Sequence, residues 1–126
     1  MDYEDFLSEI MNLDFINDPD EADSAIKAVL GILASRMEEP QAARMAGELP
    51  EPLTLDKLRG HQKRATTISV EEYIAEIADL FALDYDQAYT LVNTVLSVTK
   101  ESLEGETLED IEINLPPDWA RTIENA

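Results

Sequence analysis

A chain of 126 residues with 44% hydrophobic side chains is long enough for one domain and apolar enough to bury a core. Its 28 acidic and 9 basic residues leave a net charge of -19, which repels phosphate backbones and argues against direct nucleic-acid binding. The absence of cysteine excludes a disulfide framework and a thiolate metal site. No run reaches the roughly 18 apolar residues of a membrane span, and the acidic start is unlike a signal peptide, so a soluble cytoplasmic protein without membrane contact is expected.

The first segment, Asp2 to Asn12, places Tyr3, Phe6, Leu7 and Ile10 on one face and offers Asp2 as N-cap, so a short amphipathic helix is predicted. Phe15 and Ile16 fall in the loop that follows. Asp18-Pro19-Asp20-Glu21 combines a capping aspartate, a proline at the first helical position and a glutamate three residues on, which starts a long helix from Pro19 to Met37. Ala22, Ile26, Val29, Leu30, Leu33 and Met37 form its apolar stripe, and Ala25, Ala28, Gly31 and Ser35 a second stripe of small residues suited to close approach of another helix. Pro40 opens a third helix with Ala42, Met45, Ala46 and Leu49 inward, and Pro50 and Pro52 end it.

Charge divides the chain. Residues 1–53 hold 13 acids and 3 bases, residues 54–68 hold 1 and 4, and residues 69–126 hold 14 and 2. Leu53, Leu55 and Leu58 continue an apolar rhythm into the middle stretch, which is read as a basic connector with Lys57, Arg59, His61, Lys63 and Arg64 as candidate interaction residues. Lys57, Arg59, Lys63 and Arg64 are expected either to lie against carboxylates on either side or to sit on a solvated helix or loop, and His61 is read as solvated.

Beyond the connector, Ser69-Val70-Glu71-Glu72 is a capping box, and Tyr73, Ile74 and Ile77 match Phe6, Leu7 and Ile10. Asp84-Tyr85-Asp86-Gln87 is the next box and starts a helix from Tyr85 to Leu103. Ala88, Val92, Val95, Leu96 and Leu103 repeat Ala22, Ile26, Val29, Leu30 and Met37 at a constant offset of 66 residues. Gly105 is expected to end that helix. Leu108, Ile111 and Leu115 echo Ala42, Met45 and Leu49, and Leu115-Pro116 echoes Leu49-Pro50. Trp119 and Ile123 sit on a short closing helix. The expected fold is all-α, with two tandem copies of a roughly three-helix unit, 1–53 and 69–126, packed as one compact domain with pseudo-twofold symmetry. Each copy alone would bury too little surface to be stable.

Catalytic signatures are absent from the sequence. A single histidine cannot supply a di-iron bundle or a helical zinc pair, and four glycines include no phosphate loop. The acidic run from Asp14 to Asp23 lacks EF-hand spacing, because Ala22 and Asp23 fall where a ligand and the turn glycine are needed. No metal or cofactor is expected. The densest carboxylate patch, Glu101, Glu104, Glu106, Glu109, Asp110 and Glu112, reads first as a solvated face and otherwise as a candidate surface for a basic partner or a loosely held hard cation.

Met1-Asp2-Tyr3-Glu4-Asp5-Phe6-Leu7, Ala28-Val29-Leu30, Ala46-Gly47-Glu48-Leu49-Pro50 and Leu115-Pro116-Pro117 together resemble a bacterial family, domain-of-unknown-function family 2267, of tandem helical units with Leu-Pro turns. The resemblance implies the helical fold and carries no activity or functional residues with it. The leading functional expectation is a non-enzymatic, strongly acidic helical module with a protein partner of basic character, self-association remaining open. One alternative is a mimic of nucleic acid that occupies a DNA-binding protein. Another is a small-ligand binder or enzyme with an apolar cleft between the copies, lined by Trp119, Tyr89 or Tyr85.

Overall fold

The computed structural model describes residues 2–61 and 68–126, with backbone alone at 59–61. Among the described residues the chain is all-α, in eight helices: α1 (Tyr3–Met11), α2 (Pro19–Ser35), α3 (Glu39–Glu48), α4 (Leu55–His61), α5 (Val70–Phe81), α6 (Tyr85–Ser102), α7 (Gly105–Asn114) and α8 (Pro117–Asn125). Local chemistry sets most of the starts. Asp2 accepts the amide of Asp5 at 2.9 Å and Asp18 that of Glu21 at 2.8 Å, while Ser69 and Asp84 each form both bonds of a capping box. Prolines occupy the first turns of α2, α3 and α8, where the missing amide has no partner to lose.

Packing centres on α2, which touches α1, α4, α5 and α6. Its contact with α4 is the most extensive in the molecule, and α6 in turn touches α1, α5 and α8. Several of the contacts occur in matching sets: α1 with α2 and α5 with α6, α2 with α4 and α6 with α8, α3 with α4 and α7 with α8, α1 with α6 and α5 with α2; the contact of α5 with α8 has no such counterpart of comparable extent among the described residues. Buried apolar residues from all eight helices form one cluster, including Phe6, Leu30, Met45, Leu58, Ile77, Leu96, Ile111 and Trp119. Burial on α2 exceeds one stripe. Every residue from Val29 to Ala34 is buried, because helices surround this segment, so Ile32 and Gly31 are enclosed along with the predicted stripe.

Two local expectations change, and a third gains detail. The long helix closes at Ser35, and Met37 stays buried beyond it on a turn whose amide donates to the Ala34 carbonyl at 3.1 Å. The connector opens as a helix: Thr54 Oγ1 accepts the amide of Lys57 at 3.3 Å, and Leu58 is fully buried. Leu55 and Leu58, which continue the apolar rhythm from Leu53, form its inward face. Gly105 does not end α6. The helix stops at Leu103 in extended conformation, and Gly105 is the first residue of α7.

The left-handed helix end belongs instead to Ala82, with φ 53° and ψ 46° after α5, where the amides of Ala82 and Leu83 both donate to the Ala78 carbonyl. A Cβ in this region costs roughly 1 kcal/mol that glycine avoids. Ala82→Gly is therefore expected to raise stability by about 0.5–1 kcal/mol, and Ala82→Val to lower it. Thermal melts of the two variants decide this, and a lower melting temperature for Ala82→Gly would contradict it.

A cross-helix cap, an acidic helix and a polar cleft

The acidic helix α7 is held at its start by a residue from α3. Glu104, its N-cap, makes no side-chain capping bond. The Glu48 carboxylate takes that place, accepting the Glu104 amide at 2.7 Å through Oε1 and the hydroxyl of the buried Thr107 through Oε2. A carboxylate at the positive end of a helix dipole is favourable, while the same group in the last turn of its own helix is not. Glu48 thus serves α7 at some expense to α3. Arg44 stands 3.9 Å from Glu48 and 4.0 Å from Asp110, joining the two helices again.

The candidate carboxylates divide by position. Glu101, Glu104, Glu106 and Glu109 are exposed, whereas Asp110 and Glu112 are half-buried. Asp110 faces Arg44 and also accepts Asn114 Nδ2 at 3.2 Å. Glu106, Glu109 and Ile113 are spaced by three, four and seven and form one outward face, on which Ile113 is 79% exposed. Among the connector residues, Lys57 is exposed on α4. Arg59 and His61 belong to α4 by backbone, with their side chains outside the described residues, where Lys63 and Arg64 also lie.

Two carboxylates of the acidic run from Asp14 to Asp23 are used within the fold. Asp18 caps α2, and Asp23 accepts both the Tyr3 hydroxyl and, at 2.9 Å, Lys27 Nζ. Burial, reinforced by the bond to Asp23 and by its charge, pushes the Tyr3 phenol well above its ordinary range, so it remains a donor. Burial alone does the same to Tyr73, whose hydroxyl donates to the Val29 carbonyl at 2.7 Å and ties α5 to α2.

The three aromatic residues named for a cleft do not gather in one place. Trp119 is 1% exposed and stacks on Tyr73 with ring centres 4.6 Å apart; its Nε1–H donates to the Ile68 carbonyl at 3.2 Å and the Arg36 guanidinium lies 5.6 Å from its ring. Where α2, α3, α6, α7 and α8 meet, Leu33, Met45, Leu96, Ile111 and Ile123 leave a void of only about 10 Å³. The open cavity lies elsewhere. A cleft of about 500 Å³ runs between the start of α5, the first half of α6 and α8, walled by Glu71, Tyr89, Asn93, Asp118, Arg121 and Asn125. Only Tyr89 among these was singled out by the sequence. Asp118, Arg121 and Asn125 share one face of α8 and Asn93 lies one turn after Tyr89 on α6, but no local signal brings these faces and Glu71 together as a site.

A family model described as "Uncharacterized conserved protein (DUF2267)" matches residues 3–122. The chain belongs to the DUF2267 family. No curated protein matches it. In this DUF2267 chain the two Leu-Pro segments have the same form: Leu49 and Leu115 end α3 and α7 in extended conformation, both nearly buried, with the proline following. The residue before a proline is pushed out of the helical region, which places both stops. No helix among the described residues is long and apolar enough to cross a membrane.

A surplus of 19 negative charges on so small a surface repels itself. Sodium chloride from low to moderate concentration is expected to raise the melting temperature of the DUF2267 chain by screening that repulsion. A flat or falling curve would mean that the carboxylates are already compensated locally.

Proposed function

We propose that the chain is a non-enzymatic, strongly acidic interaction module whose α7 face docks a basic protein. The observation that carries this reading is Ile113, 79% exposed and flanked on the same face by the carboxylates of Glu106 and Glu109. An apolar side chain this exposed among like charges buries little surface in the fold and suits a partner that offers an apolar depression ringed by lysine or arginine. The negative field of the whole molecule would steer such a partner and hasten its encounter. In this reading the body behind the surface is a single domain made of two helical repeats related by a pseudo-twofold, a view supported by the matching helix contacts. On that view α4 is the counterpart of α8, and the basic stretch joins the halves.

The test compares the wild-type chain with a triple variant, Glu106→Gln, Glu109→Gln and Ile113→Ser. All three side chains are exposed, so the fold should be kept. Partners are identified by crosslinking in native cells and their binding is measured in purified form over a range of salt. A basic partner whose affinity falls with salt and drops about tenfold for the variant is expected. Binding indifferent to both changes would overturn the proposal, and displacement of the partner by duplex DNA would turn it toward nucleic-acid mimicry.

A further inference from the structure

The cleft between α5, α6 and α8 is separate from the α7 face and has a different character. Its volume of about 500 Å³ lies within the roughly 300–1,000 Å³ usual for small-molecule sites. Tyr89 contributes a ring that is 51% exposed although the cleft walls lie beside it. The side chains of Tyr89, Asn93, Arg121 and Asn125 have no hydrogen-bond or ion-pair partner among the described residues. Two planar amides, a guanidinium and a phenol thus converge on one space with their bonding capacity unspent.

Charge narrows the occupant. Glu71 and Asp118 set two carboxylates against the single guanidinium of Arg121, so the walls carry both signs. An anion would meet these carboxylates and the field of a chain at -19, and a cation would meet Arg121. A neutral ligand avoids both penalties. Planar amide, guanidinium and carboxylate groups each present paired donors or acceptors, which match neighbouring hydroxyls. The face of a half-exposed tyrosine accepts the C–H face of a saturated ring, an apolar surface offered by sugars and cyclic polyols.

We propose that this cleft binds a neutral polyhydroxylated ligand, a sugar or cyclic polyol unit, with Tyr89 as stacking platform and Asn93, Asn125 and Arg121 as hydrogen-bonding groups. The site does not depend on the protein-docking reading of α7. Two-dimensional amide NMR on the full chain tests it, by titration to high millimolar concentration with glucose, N-acetylglucosamine, maltose and inositol. Arginine amide and inorganic phosphate serve as charged comparisons. At least one of the neutral ligands should give saturable shifts at Tyr89, Asn93, Arg121 and Asn125. Tyr89→Ala should weaken that binding about tenfold and Asn93→Ala by a smaller factor, with the melting temperature nearly unchanged because Tyr89 is exposed. The proposal is overturned by any of three results: no saturable shift with the four neutral ligands, saturation by arginine amide or phosphate alone, or sugar binding unaffected by Tyr89→Ala.

Discussion

Trp119→Ala is expected to remove about 3–5 kcal/mol of stability. The indole is 1% exposed, and its neighbours cannot close over the space it fills, since Tyr73 is itself fixed by its bond to the Val29 carbonyl. Its loss removes the stacked contact with Tyr73, the cation contact with Arg36 and the bond to Ile68, so α8 is loosened at once from the stretch around the start of α5 and from the end of α2. Against the roughly 5–15 kcal/mol typical of a domain, that is enough to leave the variant partly unfolded under mild conditions. Urea unfolding followed by circular dichroism gives the value, and a lower midpoint with an unchanged slope is expected. Trp119→Phe should recover a large part, because a ring remains to stack on Tyr73. A loss below about 1 kcal/mol for Trp119→Ala would place the ring outside the core.

Glu48→Ala is the second large effect, at about 1–3 kcal/mol. Thr107 is fully buried, so its hydroxyl loses its acceptor without access to water, and the Glu104 amide at the start of α7 loses its cap. The accompanying pair with Arg44, 3.9 Å long and 43% exposed on the arginine side, adds little. A double-mutant cycle with Thr107→Val separates the two parts. If the hydroxyl bond dominates, the double variant is clearly more stable than the sum of the single losses allows, with a coupling of about 0.5–3 kcal/mol. Additive losses would mean that Glu48 and Thr107 do not act on one another.

What could be read from the sequence follows from how local each signal is. Ser69 with Glu72 and Asp84 with Gln87 act over three residues, and both capping boxes are present in the structure. Leu30 and Leu96 were legible because helical spacing alone places them inward, and both are buried. Gly105 misled because glycine often follows a helix, yet left-handed geometry is needed only where the chain turns back tightly, and that turn fell to Ala82. The helix α4 was half legible, because Leu55 and Leu58 carry a helical interval while the surrounding charge leaves helix and loop equally open. The cap by Glu48 left a faint trace, a carboxylate in the last turn of a helix where the dipole disfavours it. The cleft left none beyond Tyr89, because Glu71, Asn93 and Arg121 become neighbours only after α5, α6 and α8 have packed.

The enclosure of α2 has a further consequence, for exchange with solvent. From Val29 to Ala34 no side of the helix faces water, so no small opening of one neighbour exposes these amides. Their protons should exchange with deuterium only when α1, α4, α5 and α6 separate together, and the free energy of that opening should equal the stability of the whole molecule. Helices at the periphery, such as α3 and α7, should exchange earlier by fraying. The slowest amides then report directly on every substitution discussed above, and the segment least accessible to solvent becomes the most sensitive gauge of changes made at the surface.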